Sequence, residues 1–140
     1  MDKYQAYGAT LLRVALGVIF LAHSAYLKLF VFTVPGTVNF FESLGLPAIA
    51  AYGVIAAEIV GGTLLILGVR VRETAAVLAV VAFGATWAHS GAGWVFSNQG
   101  GGWEYPLFLA VTSVVQVLLG PGALRFSSPS RQAAAAAAPA

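Results

Sequence analysis

The chain has 140 residues, of which 59% are hydrophobic and 9% charged, against roughly 45–50% and about 25% in ordinary soluble domains, so its natural solvent is lipid rather than water. Cysteine is absent, which excludes disulfides, thiolate metal sites, covalent haem attachment and thiol redox chemistry by the chain itself. The formal charge of +2 rests on basic residues too few and too scattered for a nucleic-acid surface, so no nucleic-acid partner is expected.

The first apolar stretch covers residues 7–32. It is too long for the core of a signal peptide and carries Arg13, His23 and Lys28, which such a core would not. A polar interval follows at residues 33–47, with Pro35, Gly36, Asn39, Glu42, Gly45 and Pro47. Within it Val38, Phe40, Phe41 and Leu44 are spaced along one face of a short helix expected to lie on the membrane surface. The second apolar stretch, residues 48–68, closes on the turn Gly68-Val69-Arg70-Val71-Arg72. The third, residues 73–90, ends at the break Gly91-Ala92-Gly93-Trp94. After a loop containing Gly100, Gly101 and Gly102, the fourth stretch, residues 105–119, is stopped by Gly120-Pro121-Gly122.

A span needs about 20 apolar residues, so four of them account for most of the chain. The expectation is one all-α domain over residues 1–126, an integral membrane four-helix bundle with short connections. Residues 127–140, rich in Ser, Pro and Ala and including Ala133 to Ala138, are expected to form a disordered tail. Lys3, Arg70, Arg72, Arg125 and Arg131 fall on one side of such a bundle. The positive-inside rule then places both termini in the cytoplasm and the chain in the inner (plasma) membrane as a multi-pass protein.

With 1.5 Å of rise per residue, Arg13 lies about 9 Å inside the first span and Glu58 near the middle of the second. His23, Lys28, His89 and Glu104 fall toward the outer leaflet, joined by Trp103 and Tyr105. An ionised side chain facing lipid costs about 2.5 kcal/mol or more, so Arg13 and Glu58, of opposite charge and overlapping depth, are predicted to form a buried ion pair. Around the first span Arg13, Lys28 and His23 fall within about 140° and can share the bundle interior. Glu58 shares a face with Gly61 and Gly62, which invites close approach of another helix.

Each of these features also has a purely structural reading. The ion pair can fix helix register without chemistry, Lys28 can extend to the headgroups, and the histidines can serve as packing hydrogen-bonders. Trp94, Trp103 and Tyr105 fit an interfacial aromatic belt. No third ligand is spaced to complete a metal site with the histidines, so no metal is expected. Gln116 and Thr86 are weaker candidates for interhelical hydrogen bonds.

Taken in order, several segments resemble the DoxX family, within the wider DoxX/DoxD group of small bacterial four-span proteins. They are Arg13-Val14-Ala15-Leu16-Gly17-Val18-Ile19-Phe20-Leu21-Ala22-His23-Ser24 leading to Lys28-Leu29-Phe30, then Leu44-Gly45-Leu46-Pro47, then Ala57-Glu58-Ile59-Val60-Gly61-Gly62. They continue with His89 before the Gly91-Ala92-Gly93-Trp94 break, Gly102-Trp103-Glu104-Tyr105-Pro106-Leu107, and Gly120-Pro121-Gly122. The resemblance covers residues 12–126. It departs from the family pattern at Ser24, where glycine is common, and at Val69-Arg70-Val71-Arg72, where Thr-Arg is usual.

The resemblance implies a redox setting, since relatives include a subunit of an archaeal thiosulfate:quinone oxidoreductase and members of membrane-bound oxidative-stress complexes. On that footing the chain is expected to be a membrane subunit of a quinone-linked oxidoreductase. His23, Lys28, His89, Glu104, Trp103 and Tyr105 would form a polar pocket, with quinone as the candidate cofactor and a soluble or membrane redox subunit as partner. A homo-oligomer is a further option. The competing reading is a non-catalytic anchor or assembly partner for a soluble enzyme. A small-solute transporter ranks below both, because four spans are few for alternating access.

Overall fold

A computed structural model describes residues 2–126, and every regular element among them is a helix. α1 runs Lys3–Leu21 and opens on a capping box, in which Asp2 accepts from the Gln5 backbone N–H and the Gln5 side chain accepts from Asp2, satisfying two donors that a helix start leaves open. It continues unbroken as a π-helix over Ala22–Val31. α2 is Val34–Ser43, α3 is Ala48–Leu67, α4 is Val71–Ala88 and α5 is Glu104–Leu119, with one 3-10 turn at Ser90–Ala92. The tail expected at residues 127–140 lies outside the described residues.

Lys3–Val31, Ala48–Leu67 and Val71–Ala88 are long and apolar enough to cross a membrane. α5 has 16 residues, about 24 Å of helix at the standard rise, short of the roughly 30 Å hydrocarbon core. The burial pattern is that of a lipid-solvated bundle. Small residues such as Ala51, Ala75, Ala82 and Ala110 are buried, whereas Leu11, Val80, Phe108 and Leu118 point outward. Without a hydrophobic drive between helices in lipid, close packing through small side chains supplies the association.

Two glycines set the register of α1 against α3. A Cβ on Gly17 would stand 2.7 Å from the Gly62 carbonyl oxygen, and one on Gly62 would stand 2.8 Å from that of Gly17. The backbones therefore touch where these residues cross. Gly61 faces the other way, onto Leu78 of α4. The core itself is Leu16, Phe20, Leu65, Leu78, Ala82 and Leu109 with their neighbours.

The bundle has two distinct ends. One gathers the start of α1, the end of α3, the start of α4 and the end of α5, tied by Arg72 to the Val117 carbonyl and by the Phe126 N–H to the Leu67 carbonyl. It carries Lys3, Arg70, Arg72 and Arg125, and is called the basic end below. The other gathers the π-helix, α2, the end of α4 and the start of α5, and is called the histidine end. α2 forms as the sequence suggests, but the residue it buries is Thr37, while Phe40 is exposed.

Candidate functional site

The π-helix carries three of the polar residues, His23, Ser24 and Lys28. Its wider turns are closed by bonds five residues apart, as in the Phe32 N–H to Leu27 carbonyl contact of 2.7 Å, and π-helical turns recur at functional sites. Ser24 and Lys28 both reach Glu58 of α3. The Ser24 hydroxyl donates to Glu58 Oε2 at 2.5 Å and the Lys28 ammonium pairs with the same oxygen. Ser24 is fully buried and its Oγ also lies 3.3 Å from the Ile55 carbonyl, giving the hydroxyl a second acceptor. A carboxylate in the apolar interior is thus stabilised by one cation and one neutral donor, the arrangement a buried charge requires.

The expected Arg13–Glu58 pair does not form. Arg13 is buried, yet its Nη1 donates to the Pro121 carbonyl at 3.0 Å and its Nη2 to the Leu124 carbonyl at 2.5 Å. Helix register explains the difference. With Gly17 level with Gly62 and α3 running antiparallel, Glu58 stands opposite position 21, eight residues or about 12 Å up the axis from Arg13. Arg13 is level instead with the end of α3, where a Cβ on Gly68 would lie 2.0 Å from its Nη1. Lys28, expected among the alternatives to extend to the headgroups, turns inward to meet Glu58.

The remaining members of the expected pocket lie at the histidine end in separate pairings. His23 stacks on Tyr105 of α5, with ring centroids 5.7 Å apart, and its Nδ1 lies 2.9 Å from the Ile19 carbonyl. His89 stacks on Phe40, with centroids 6.0 Å apart, and its Nδ1 lies 2.9 Å from the Gly100 carbonyl. Because a carbonyl oxygen can only accept, Nδ1 carries the hydrogen in both rings, which leaves Nε2 as the ring nitrogen facing other partners. Trp94 and Trp103 meet edge to face at 4.5 Å, and Glu104 Oε1 accepts from the Phe96 N–H at 2.9 Å. Trp94, Phe96, Glu104, Tyr105 and Phe108 line a shallow hollow. Tyr105 belongs both to this hollow and to the His23 stack, and so links the two.

The loop that shapes this end depends on glycine. A Cβ on Gly102 would stand 2.2 Å from the Val95 carbonyl oxygen, and Gly93, Gly100 and Gly101 all have positive φ, a conformation that costs L side chains energy. Its ends are closed by the Trp103 N–H to Gly93 carbonyl and Glu104 N–H to Trp94 carbonyl bonds.

Ser24, Thr10 and Ser113 escaped the sequence reading as site or core residues. The one signal available for Ser24 was a hydroxyl four residues before Lys28 in an otherwise apolar segment. Thr10 and Ser113 gave none, because single hydroxyls are common in spans. Gln116 and Thr86 make no interhelical bond: Gln116 Nε2 donates to the Gly120 carbonyl at 2.7 Å and Thr86 Oγ1 to the Ala82 carbonyl at 2.8 Å, both local.

The DoxX family model matches residues 8–91, which hold Arg13, His23, Ser24, Lys28, Glu58 and His89 and end before α5. A protein of Bacillus subtilis (strain 168) named "Putative oxidoreductase CatD" is 39% identical over 85 residues, a stretch that takes in 61% of each chain. The chain thus spans less than two thirds of that relative's length. No solved structure matches it.

Proposed function

Because this chain belongs to the DoxX family, we propose that it serves as a membrane subunit of a quinone-linked oxidoreductase, spanning the inner membrane four times with both termini in the cytoplasm. The Bacillus relative's name includes the word oxidoreductase, which favours a redox role over a purely structural one. With no cysteine to cycle, the electrons must pass to a redox group carried by a partner subunit.

The observation that carries the reading is the His23–Tyr105 stack. It places a half-buried imidazole, its Nδ1 already engaged by the Ile19 carbonyl, beside a phenol and next in sequence to the Ser24–Lys28–Glu58 cluster. A quinol has an aromatic face and two hydroxyls to give up, and these residue types suit it: Nε2 of His23 accepts a hydroxyl proton, Tyr105 supplies a ring edge and a hydroxyl, and the ammonium of Lys28 favours negative charge developing on oxygen. Oxidation of the quinol releases two protons and two electrons. His23 would accept one of the protons and the other would leave to water at this end of the bundle, while the two electrons would reduce an oxidised redox group on the partner.

The test is quinone binding by the purified chain, read as quenching of tryptophan fluorescence by a soluble short-chain ubiquinone analogue. Trp94 and Trp103 sit beside the expected site, so quenching should saturate. His23→Ala and Glu104→Gln should each weaken binding about tenfold, as loss of one hydrogen bond to a charged or polarised group would. Unchanged binding in both variants would leave the chain an anchor for a soluble enzyme rather than a quinone subunit.

A further inference from the structure

Ala57, Val60, Gly61 and Leu64 of α3 and Thr74 and Val77 of α4 line an open, largely apolar groove between the two helices. At Gly61 α3 lies close against α4, since a Cβ there would meet the Leu78 side chain at 3.0 Å, and Ala57 and Gly61 leave the groove lined by small residues. From Ala57 to Leu64 it extends about 10 Å along the helix. At its basic end stand Arg70 and Glu73, with side chains 73% and 63% exposed and Arg70 Nε 3.6 Å from Glu73 Oε1.

This pairing is looser than a hydrogen bond and engages only one edge of the guanidinium. Among the described residues, both Nη groups of Arg70 and the second carboxylate oxygen of Glu73 have no other partner. An exposed pair at helical spacing contributes little by itself, so it rearranges readily around a ligand. An apolar channel ending in one cation and one anion is complementary to an amphiphile with an acyl chain, a phosphate and an ammonium. Arg and phosphate match as a bidentate pair.

We propose that the α3–α4 groove binds a phospholipid of the phosphatidylethanolamine class, with an acyl chain against Ala57, Gly61 and Leu64, the phosphodiester on Arg70 and the primary ammonium on Glu73. The presence of Glu73 decides among headgroups. A phosphatidylglycerol brings a net negative charge toward a carboxylate, and the quaternary ammonium of phosphatidylcholine has no N–H to donate to it. The neighbouring Arg72 is not part of this lining and is turned to α5, where its Nη1 donates to the Val117 carbonyl at 2.8 Å. This inference stands on the groove and its two charges and is independent of any quinone.

The experiment is native mass spectrometry of the detergent-purified full chain with equimolar phosphatidylethanolamine, phosphatidylcholine and phosphatidylglycerol of identical acyl chains. The ethanolamine lipid should form adducts about threefold more abundantly than either competitor, the scale of one exposed charge contact. Glu73→Gln should erase its advantage over phosphatidylcholine. Arg70→Ala should lower both of those adducts together, because both carry the phosphate. Both residues are exposed, and an unchanged melting temperature will show that the variants fold. Phosphatidylglycerol adducts equal to or above those of phosphatidylethanolamine would overturn the proposal, as would adduct ratios that neither substitution alters.

Discussion

The two ends of the bundle solve the same problem, polar atoms in an apolar solvent, by different means. At the basic end side chains capture main chain. Arg13 holds the Pro121 and Leu124 carbonyls, Arg72 holds that of Val117, Gln116 holds that of Gly120, and Thr10 Oγ1 accepts from the Ala123 and Leu124 N–H groups. The segment after α5 is thereby folded back across α1 and α3. At the histidine end side chains also meet side chains, Ser24 and Lys28 on Glu58, His23 on Tyr105, Phe40 on His89 and Trp94 on Trp103, beside main-chain bonds such as His89 to the Gly100 carbonyl and the Phe96 N–H to Glu104. A carbonyl fixed in a turn cannot turn away to make room, whereas a rotatable side chain can exchange its partner for a ligand. The difference separates an end held mainly by fixed main-chain contacts from one held largely by side chains that can rotate.

The sharpest way to break this comparison is at the ion pair. Lys28→Met leaves the Glu58 carboxylate buried with Ser24 as its only donor, and unfolding in detergent should become easier by about 3 kcal/mol. Lys28→Met combined with Glu58→Leu removes both charges and should regain most of that loss. A double variant as unstable as the single would mean that the pair holds its place by packing alone. At the other end, Arg13→Met strips two charge-assisted hydrogen bonds from carbonyls with no nearby substitute and should cost about 2 kcal/mol. Its signature is local: amide exchange should rise at Gly120 to Phe126 while the His23–Tyr105 region keeps its protection. A uniform rise across the chain would show that the two ends are not independent.

The all-helical fold and the place of each helix were legible because apolar runs and Gly/Pro stops are local signals. Close approach of another helix at Gly61 and Gly62 was legible too, but not which one: Gly62 meets α1 and Gly61 meets α4. The partners of the charges were not legible. Depth counted from the edge of each apolar run gave Arg13 and Glu58 overlapping depth, but the register is set by the contact of Gly17 with Gly62, a relation between two segments that neither shows alone. The carbonyls that hold Arg13 belong to a turn more than a hundred residues away, and carbonyls are present at every residue, so no pattern singles those two out. The two histidines were expected at one common end, which is where the structure has them, while their stacking partners, Tyr105 and Phe40, depend on how α5 and α2 lean against the bundle.

The finest test of the comparison lies at Thr10, which is nearly buried and supports the returning segment with a single oxygen. Its hydroxyl donates to the Ala6 carbonyl at 3.1 Å and accepts from Ala123 N–H at 2.9 Å and from Leu124 N–H at 3.3 Å. Thr10→Val keeps the shape and removes the acceptor. Ala123 N–H retains the Ala6 carbonyl at 3.1 Å, so the loss falls mainly on Leu124, and about 1 kcal/mol is expected. Amide exchange should accelerate at Leu124 and little at Ala123, and Thr10→Ser should restore it. Leu124 is also the residue whose carbonyl Arg13 holds. If the clasp acts as a unit, Thr10→Val on top of Arg13→Met should therefore cost less than it does alone, because the strap it supports has already been released.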